Sequence, residues 1–369
     1  MSVTSSLFKQ AINKAVSKNA TINKTAFKGN IENYIGMTQV PTGLCGPLSI
    51  NGQYADGIFK IPLATTEGAL VASYSRGAKA CSLAGGVNTH LIEEGVQRSP
   101  AFIFENTKQA IAFEKWTQSQ MHLFSKVVAQ SSNYAKIQHI KAQIHGCQLL
   151  LTFQFHTGDA AGQNMVSFCT QAVIEYMLQN SPVPIKKWYI ESNLSGDKKA
   201  NHQSLQNVRG KKVIAEVVLN KKIVREVLKS SPQNILDYYH THLLASIQAG
   251  SIGSQGHFAN GLAALFLATG QDVACVSEAA NGILNMRLTN GGDLYASITV
   301  PNLIVGTVGG GTHLPTQKEC LQMLDCYGPN KARKFSEICA ALLLCGELSI
   351  AAAIAEGHFT QAHKALGRR

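Results

Sequence analysis

Several short stretches place acids, lysines and histidines where chemistry is possible. In "LATTEGALVAS" (63–73), Glu67 follows two threonines and precedes small apolar residues. A threonine there can cap a helix, and an acid in the first turn suits the helix dipole, which predicts an ionised structural Glu67. The other reading makes Glu67 a proton donor in a buried site, which needs the opposite protonation state. "SGDKKA" sets Asp197 beside Lys198 on a loop, and "TGQDVA" puts Asp272 just after an apolar helix. Adjacent opposite charges on a loop are usually solvated, and a turn acid is ordinary. "EGHFTQAHKALGRR" ends the chain with His358, His363, Arg368 and Arg369, which fit the C-terminal dipole of a helix.

Two glycine-bearing stretches fit a phosphorylated ligand. "HTGDAAGQNM" (156–165) lies between an expected strand and an amphipathic helix. Gly158 and Gly162 permit close backbone approach, and a helix N-terminus offers free amides to a phosphate. Asp159 there either accepts from a ribose hydroxyl or simply caps the helix. "GTVGGGT" (306–312) lets backbone pass next to a ligand, or makes a tight turn in helix packing. Taken singly, none of these stretches decides a function.

The elements that must position these residues are partly legible. Residues 1–30 read as a polar, partly helical arm. "DGIFKIPLA" reads as a strand leading into the helix that holds Glu67. Residues 101–191 give a strand at "AFIFE", a helix from Lys108 to about Gln130, a hairpin at "KIQHIKAQIHG" and "CQLLLTFQFHTG", and a helix with apolar residues from Met165 to Met177 at helical spacing. "PIKKWYIES" closes the set as a strand. The order β-α-β-β-α-β is the ferredoxin-like split unit, so 101–191 is expected to be a small inserted domain. It interrupts a larger, mostly helical one at 31–100 and 192–369. No GxGxxG fingerprint occurs, so a Rossmann cofactor site is unsupported.

Composition sets the outer limits. At 369 residues, 45% hydrophobic and 15% charged, the chain is a globular α+β protein too large for one compact core. A net charge of +11 favours polyanionic partners such as phosphorylated cofactors. The basic pairs are scattered, without aromatic interleaving, which argues against nucleic acid. Nine cysteines lack CxxC or Cys/His metal spacing and read as reduced thiols in a cytoplasmic protein without a metal. "ICAALLLCGELSIAAAIAEG" is long and apolar, but Glu347 interrupts it, so a buried core helix is expected rather than a membrane span.

In order along the chain, "ENYIG", "PTGLCGPL", "ATTEGALVAS", "TGDAAGQNM", "GDKKA", "AGSIG", "GQD", "GTVGGGT" and "GH…H" resemble the catalytic portion of 3-hydroxy-3-methylglutaryl-CoA (HMG-CoA) reductase. The resemblance runs from about residue 32 to the C-terminus, and "ATTEG" and "GTVGGGT" are similar to the class I form. It implies reduction of HMG-CoA by two NADPH to mevalonate and CoA, in the mevalonate pathway of isoprenoid biosynthesis. A large domain would bind HMG-CoA, the inserted domain NADP(H), and the active site would lie at the interface of a homodimer or tetramer, so that a monomer is inactive. The alternatives are a related CoA-thioester reductase and an NAD-dependent enzyme running mainly in the oxidative direction.

By motif, the resemblance makes Glu67, Lys198, Asp272 and His363 the catalytic set, with Asp272 holding Lys198 and Glu67 in one hydrogen-bonded network. Arg98 corresponds to a contact with the HMG moiety, Ser73, Ser75, Arg76 and Lys229 lie near CoA, and Asn260 is an active-site asparagine. Asp159, Ala161, Gly162, Gln163, Asn164 and Met165, with Val308 and Gly309, would contact the nucleotide. Arg368 suits the 2′-phosphate of NADPH, and NADH is the less expected cofactor. The sequence departs from the family pattern at several points. "DAAGQNM" replaces DAMGMNM, which changes packing against the cofactor. Glu191 and Ser192 stand where a Ser-Gly pair is common. "HTH" (240–242) stands where a substrate-binding lysine is expected, and Arg369 replaces a tail serine that is phosphorylated in some relatives. The N-terminal membrane spans of some members are also missing, so a soluble enzyme is expected.

Overall fold

The structure, a computed structural model, describes Phe27 and residues 29–360. Most of the expected arm and the tail from 361 onward, with His363, Arg368 and Arg369, lie outside the described residues. In chain order the elements are β1 (Thr42–Gly52), β2 (Asp56–Ala64), α1 (Leu70–Leu83), β3 (Val87–Arg98), β4 (Ala101–Ile103), α2 (Thr107–Ser119), α3 (Met121–Ser131), β5 (Lys136–His145), β6 (Gln148–His156), α4 (Gln163–Asn180) and β7 (Lys187–Tyr189). They continue with β8 (Gly210–Leu219), α5 (Lys221–Ile223, running into a π-turn), α6 (Pro232–Gln248), α7 (Phe258–Thr269), α8 (Val276–Ala279), β9 (Ile283–Leu288), β10 (Leu294–Leu303), α9 (Pro315–Met323) and α10 (Ala332–Ala355).

Alternation makes the large sheet. In β8, Val213, Ala215, Val217 and Leu219 turn inward, and Leu294, Ala296, Ile298 and Val300 do the same in β10. These faces pack on α10, the apolar "ICAALLLCGELSIAAAIAEG" helix. Of its apolar stretch, 83% is buried inside the protein, so it is a core helix, as Glu347 indicated. The expectation of a mostly helical large domain is corrected here. β1, β2, β3, β8, β9 and β10 form a mainly antiparallel sheet around that helix, giving a mixed α/β body.

β3 joins two sheets. Its residues from Asn88 to Gly95 pair with β8, and Val96–Arg98 pair with β6. Beyond it the strands run β6, β4, β7, with β5 on the other side of β6, every pair antiparallel. Phe102, Phe113, Phe124, Phe153 and Phe155 fill the space between these strands and their helices. The single helix expected from Lys108 to Gln130 is broken at Gln120, whose φ of −95° and ψ of 4° turn the chain so that Trp116 and Phe124 meet edge to face. The last strand covers only Lys187–Tyr189, because it is an edge strand preceded by Pro184, which has no N–H to pair.

Several acids inside this body are tied to backbone. Glu337 accepts from the N–H groups of Tyr54 (2.8 Å) and Ala55 (2.7 Å), which offsets the cost of burying a carboxylate. Asp159 does not cap α4. Its carboxylate accepts from the N–H groups of Asn330 (2.8 Å), Lys331 (3.1 Å) and Ala332 (3.0 Å), the otherwise unpaired amides at the start of α10. The loop that leads into α4 is thereby fastened to the core helix. All nine cysteines are free thiols.

Candidate active site

Glu67 lies ahead of α1, not in its first turn. The helix starts at Leu70 after Ala69 in left-handed conformation, without a side-chain cap. Thr65 Oγ1 instead accepts from the Glu67 N–H (3.0 Å) in a tight turn. The capping account of the threonines is therefore corrected: Thr65 shapes the turn that presents Glu67. Its carboxylate is exposed and accepts from Asn260 Nδ2 at 2.8 Å. Both residues line a cleft of about 460 Å³ with Ser73, Arg76 and His257.

A second cleft adjoins it along α1. Ala72 and Arg76 line both, and the second, about 760 Å³, adds Ser75, Lys79 and Lys229. Arg76 is pinned by Ser349, donating from Nε to Oγ (3.0 Å) and from Nη2 to the carbonyl (2.6 Å), while Ser73 Oγ also meets Ser349 Oγ (3.0 Å). The result is an elongated groove with an acid and an amide at one end and three cations toward the other.

A further cleft of about 500 Å³ lies between the first turn of α4 and the Gly-rich stretch 306–312. Ala161, Gly162, Gln163, Asn164, Met165, Val308 and Gly309 line it as the resemblance implied, with Asp272 at its edge. Asp159 does not line it, being spent on the α10 amides. Gly306 must be glycine, because a Cβ there would lie 2.5 Å from the Ala161 nitrogen. The first-turn amides of α4 have no acceptor within the helix and face a space of nucleotide size.

Lys198 and Asp272 come together as expected, Nζ to Oδ2 at 2.7 Å. This bond raises the Lys198 ammonium above its ordinary range, so it stays a cation. The second half of the expected network is absent from the protomer. No hydrogen bond or ion pair joins Glu67 to Lys198 or Asp272 among the described residues. Glu67 is held at the Asn260 end of α7, and Asp272 follows its other end. The helix from Asn260 to Thr269 is about 13 Å long at 1.5 Å per residue. The side chains of Lys198 and Asp272 are also 43% and 41% exposed, so the protomer alone does not bury them.

Arg98 is not free to meet an acyl group in this structure. Its Nη1 donates to Glu191 Oε2 and Asp197 Oδ2, both at 3.2 Å, and Nη2 to the Gln163 carbonyl (3.3 Å). The departure at Glu191 thus supplies a partner for Arg98. Glu191 also accepts from Ser195 Oγ (2.9 Å) and fixes the 192–197 loop. The departure at Gln163 likewise faces inward: its amide accepts from Arg209 (2.5 Å) and donates to Cys275 Sγ (3.1 Å). At 240–242, His242 Nε2 contacts the Ser254 carbonyl (3.1 Å), and His240 and Thr241 are exposed on α6.

Two functional candidates escaped the sequence reading. Arg209 and Glu278 are a buried pair beneath Lys198, but "NVRGKK" and "SEAANG" look like surface composition. Glu347 was visible as the acid that interrupts an apolar run. Its carboxylate accepts from the Gly256 (3.0 Å) and His257 (2.5 Å) N–H groups, which line the Glu67 cleft. Tyr74 braces the same turn, donating to the His257 carbonyl at 2.7 Å. Burial pushes Glu347 up to about 7, against the pull of those two N–H groups. Its folded value lies above the ordinary 4.5, so its favourable contribution is complete below pH 4.5 and lost as pH rises through 7. Denaturant titrations over this range are expected to show the wild type losing on the order of 3 kcal/mol relative to Glu347→Gln. Parallel pH profiles for the two proteins would remove Glu347 from this account.

With the two clefts and the Lys198–Asp272 pair in place, residues 2–368 match the family model for hydroxymethylglutaryl-coenzyme A reductase. The chain belongs to the HMG-CoA reductase family. It is 46% identical over 346 residues to the 3-hydroxy-3-methylglutaryl-coenzyme A reductase of Pyrococcus horikoshii, covering 92% of this chain and 84% of that protein. It is 42% identical to the enzyme of Methanocaldococcus jannaschii, covering 93% and 86%. Among solved structures, the class II HMG-CoA reductase of Streptococcus pneumoniae, bound to NADPH in open conformations, superposes with a TM-score of 0.73 at 18% identity over 95% of both chains. The fold is thus similar to that of a solved HMG-CoA reductase.

Proposed function

We propose that the protein reduces HMG-CoA to mevalonate and free CoA with two NADPH, as a cytoplasmic homodimer or higher homo-oligomer in the mevalonate pathway. The observation that carries this reading is the pairing of the elongated groove along α1 with the cleft at the start of α4. The groove has a carboxyl end at Glu67 and Asn260 for an acyl group, and Arg76, Lys79 and Lys229 further along for the phosphates of CoA. The cleft offers helix amides and a glycine-lined wall for a dinucleotide. Residues 101–191 are read as the inserted nucleotide domain, because their element order and their strand order β7-β4-β6-β5 are those of a ferredoxin-like unit. "ATTEG", "GTVGGGT" and the much higher identity to the Pyrococcus enzyme than to the class II structure support a class I assignment.

The chain's residues then divide the work. NADPH supplies the two hydrides. Lys198, held cationic by Asp272, stabilises the oxyanion formed when the thioester carbonyl is attacked. His363, in its protonated form, gives a proton to the CoA thiolate as the hemithioacetal breaks down to aldehyde. Glu67 protonates the alkoxide after the second hydride. Arg368 pairs with the 2′-phosphate that distinguishes NADPH from NADH. Because Glu67 and Asp272 sit at opposite ends of α7 and both are exposed, a second copy brings Glu67 to the Lys198–Asp272 pair and buries all three. Two NADPH are expected to be oxidised per HMG-CoA in a spectrophotometric assay, with NADH markedly slower. Reduction of NAD by mevalonate and CoA faster than NADPH oxidation would favour the oxidative reading, and activity only on other acyl-CoA esters the related-thioester one.

A further inference from the structure

Lys198 is held in an unusual backbone state by residues that the catalytic scheme does not use. Its φ is +56°, in the left-handed region that a long side chain adopts at a cost. Its N–H donates to Glu278 Oε2 at 3.0 Å, and the same oxygen accepts from Arg209 Nε at 2.8 Å. Glu278 is 1% exposed and Arg209 4%. Arg209 Nη2 reaches Asp197 Oδ1 at 2.7 Å, and Arg98 holds the other oxygen of the same carboxylate. The two residues before and at the lysine are thus clamped, one by its side chain and one by its main chain.

Arg209 is fixed in turn. Its Nη1 donates to the Gln97 carbonyl (2.9 Å), its N–H to Asn302 Oδ1 (2.8 Å), and Nη2 also to Gln163 Oε1. Gln163 opens α4 and lines the nucleotide cleft. One guanidinium therefore spans the lysine loop, the strand β3 and the wall of that cleft. A fold-stabilising ion pair does not need to bond the N–H of a strained loop residue.

We infer that Arg209 and Glu278 are positioning residues for Lys198: they hold its backbone left-handed, aim its ammonium at Asp272, and register that ammonium against the nucleotide cleft. The inference rests on the reductase reading for the role of Lys198, but its geometric part can be tested without turnover. A crystal structure of Glu278→Ala is expected to show Lys198 out of the left-handed region and its Nζ more than about 4 Å from Asp272. In assays, Glu278→Ala is expected to lower kcat about 10- to 100-fold, the rate equivalent of one strained residue released. KM for NADPH should stay within about twofold, because the variant leaves the α4 amides in place.

The alkaline limb of the pH–rate profile should move to lower pH, since Lys198 loses the bond that raises it. Glu278→Gln keeps an oxygen for the Lys198 N–H and should hold kcat within about threefold of wild type with the limb unmoved. If Glu278→Ala does not fold, Arg209→Lys serves: a single ammonium cannot span Asp197, Glu278 and Gln97 together, so the same acid-ward shift is expected. A lower melting temperature with unchanged kcat, unchanged limb and Lys198 still left-handed would overturn the inference. An inactive wild type, or a fully active Lys198→Ala, would instead fail the reductase reading and leave the crystallographic result to stand by itself.

Discussion

Lys198→Ala is expected to lower kcat by about 10²- to 10³-fold, with KM for both substrates changed far less. Among the described residues, the ammonium's ion-pair partner in the ground state is Asp272, 2.7 Å away. Charge appears on the thioester oxygen only as the hydride adds, so the lysine stabilises the transition state more than the substrate. Removing it should therefore appear in kcat. The Asp272 bond also matters for the variant chosen as control. Lys198→Arg keeps the charge but spreads it over a planar fork that does not match a single oxygen in this turn, so at most partial rescue is expected. Single-turnover reduction of HMG-CoA at saturating NADPH separates these steps. A Lys198→Ala protein that retains kcat within threefold of wild type would remove the lysine from the chemistry.

The parts of this arrangement that were legible in the sequence are those built by local pattern. "DGIFKIPLA" matches β2 residue for residue, and the hairpin of β5 and β6 follows from alternating apolar residues around Gly146. The segments around Gln163 and Gly309 were read as phosphate-friendly because helix N-termini and glycines have the same physics wherever they occur. Distant pairings were not legible. Asp159 reads as a cap for the helix that follows it, yet it caps one that begins more than 170 residues later. Glu67 meets Asn260 across 193 positions. "TTEG" has the composition of a helix start, but Ala69 takes a left-handed turn and delays α1 by three residues, which frees the acid to face a cleft. The mostly helical reading of the large domain failed for a related reason. β8 and β10 do alternate, but the long apolar runs of α7 and α10 dominate the pattern until α10 is seen to cover their inward face.

Mixing two inactive variants is expected to restore activity. Glu67→Gln removes the proton for the second alkoxide, and Lys198→Ala removes the oxyanion partner, so each homo-oligomer alone should turn over at about 1% of wild type or less. In one protomer these residues stand at opposite ends of α7, a helix about 13 Å long between Asn260 and Thr269, and Asn260 already occupies the Glu67 carboxylate. No rotamer change of a glutamate covers that span. A two-fold assembly covers it twice over, since each copy offers Glu67 to its partner and receives the partner's in return. A hybrid of the two variants then has one site with both substitutions and one with neither. Random pairing makes half the dimers hybrid, so activity should return to about a quarter of wild type on co-refolding or co-expression. Recovery near zero, with hybrids verified by two affinity tags, would place Glu67 and Lys198 of one chain in the same site and require α7 or the 195–199 loop to move on binding.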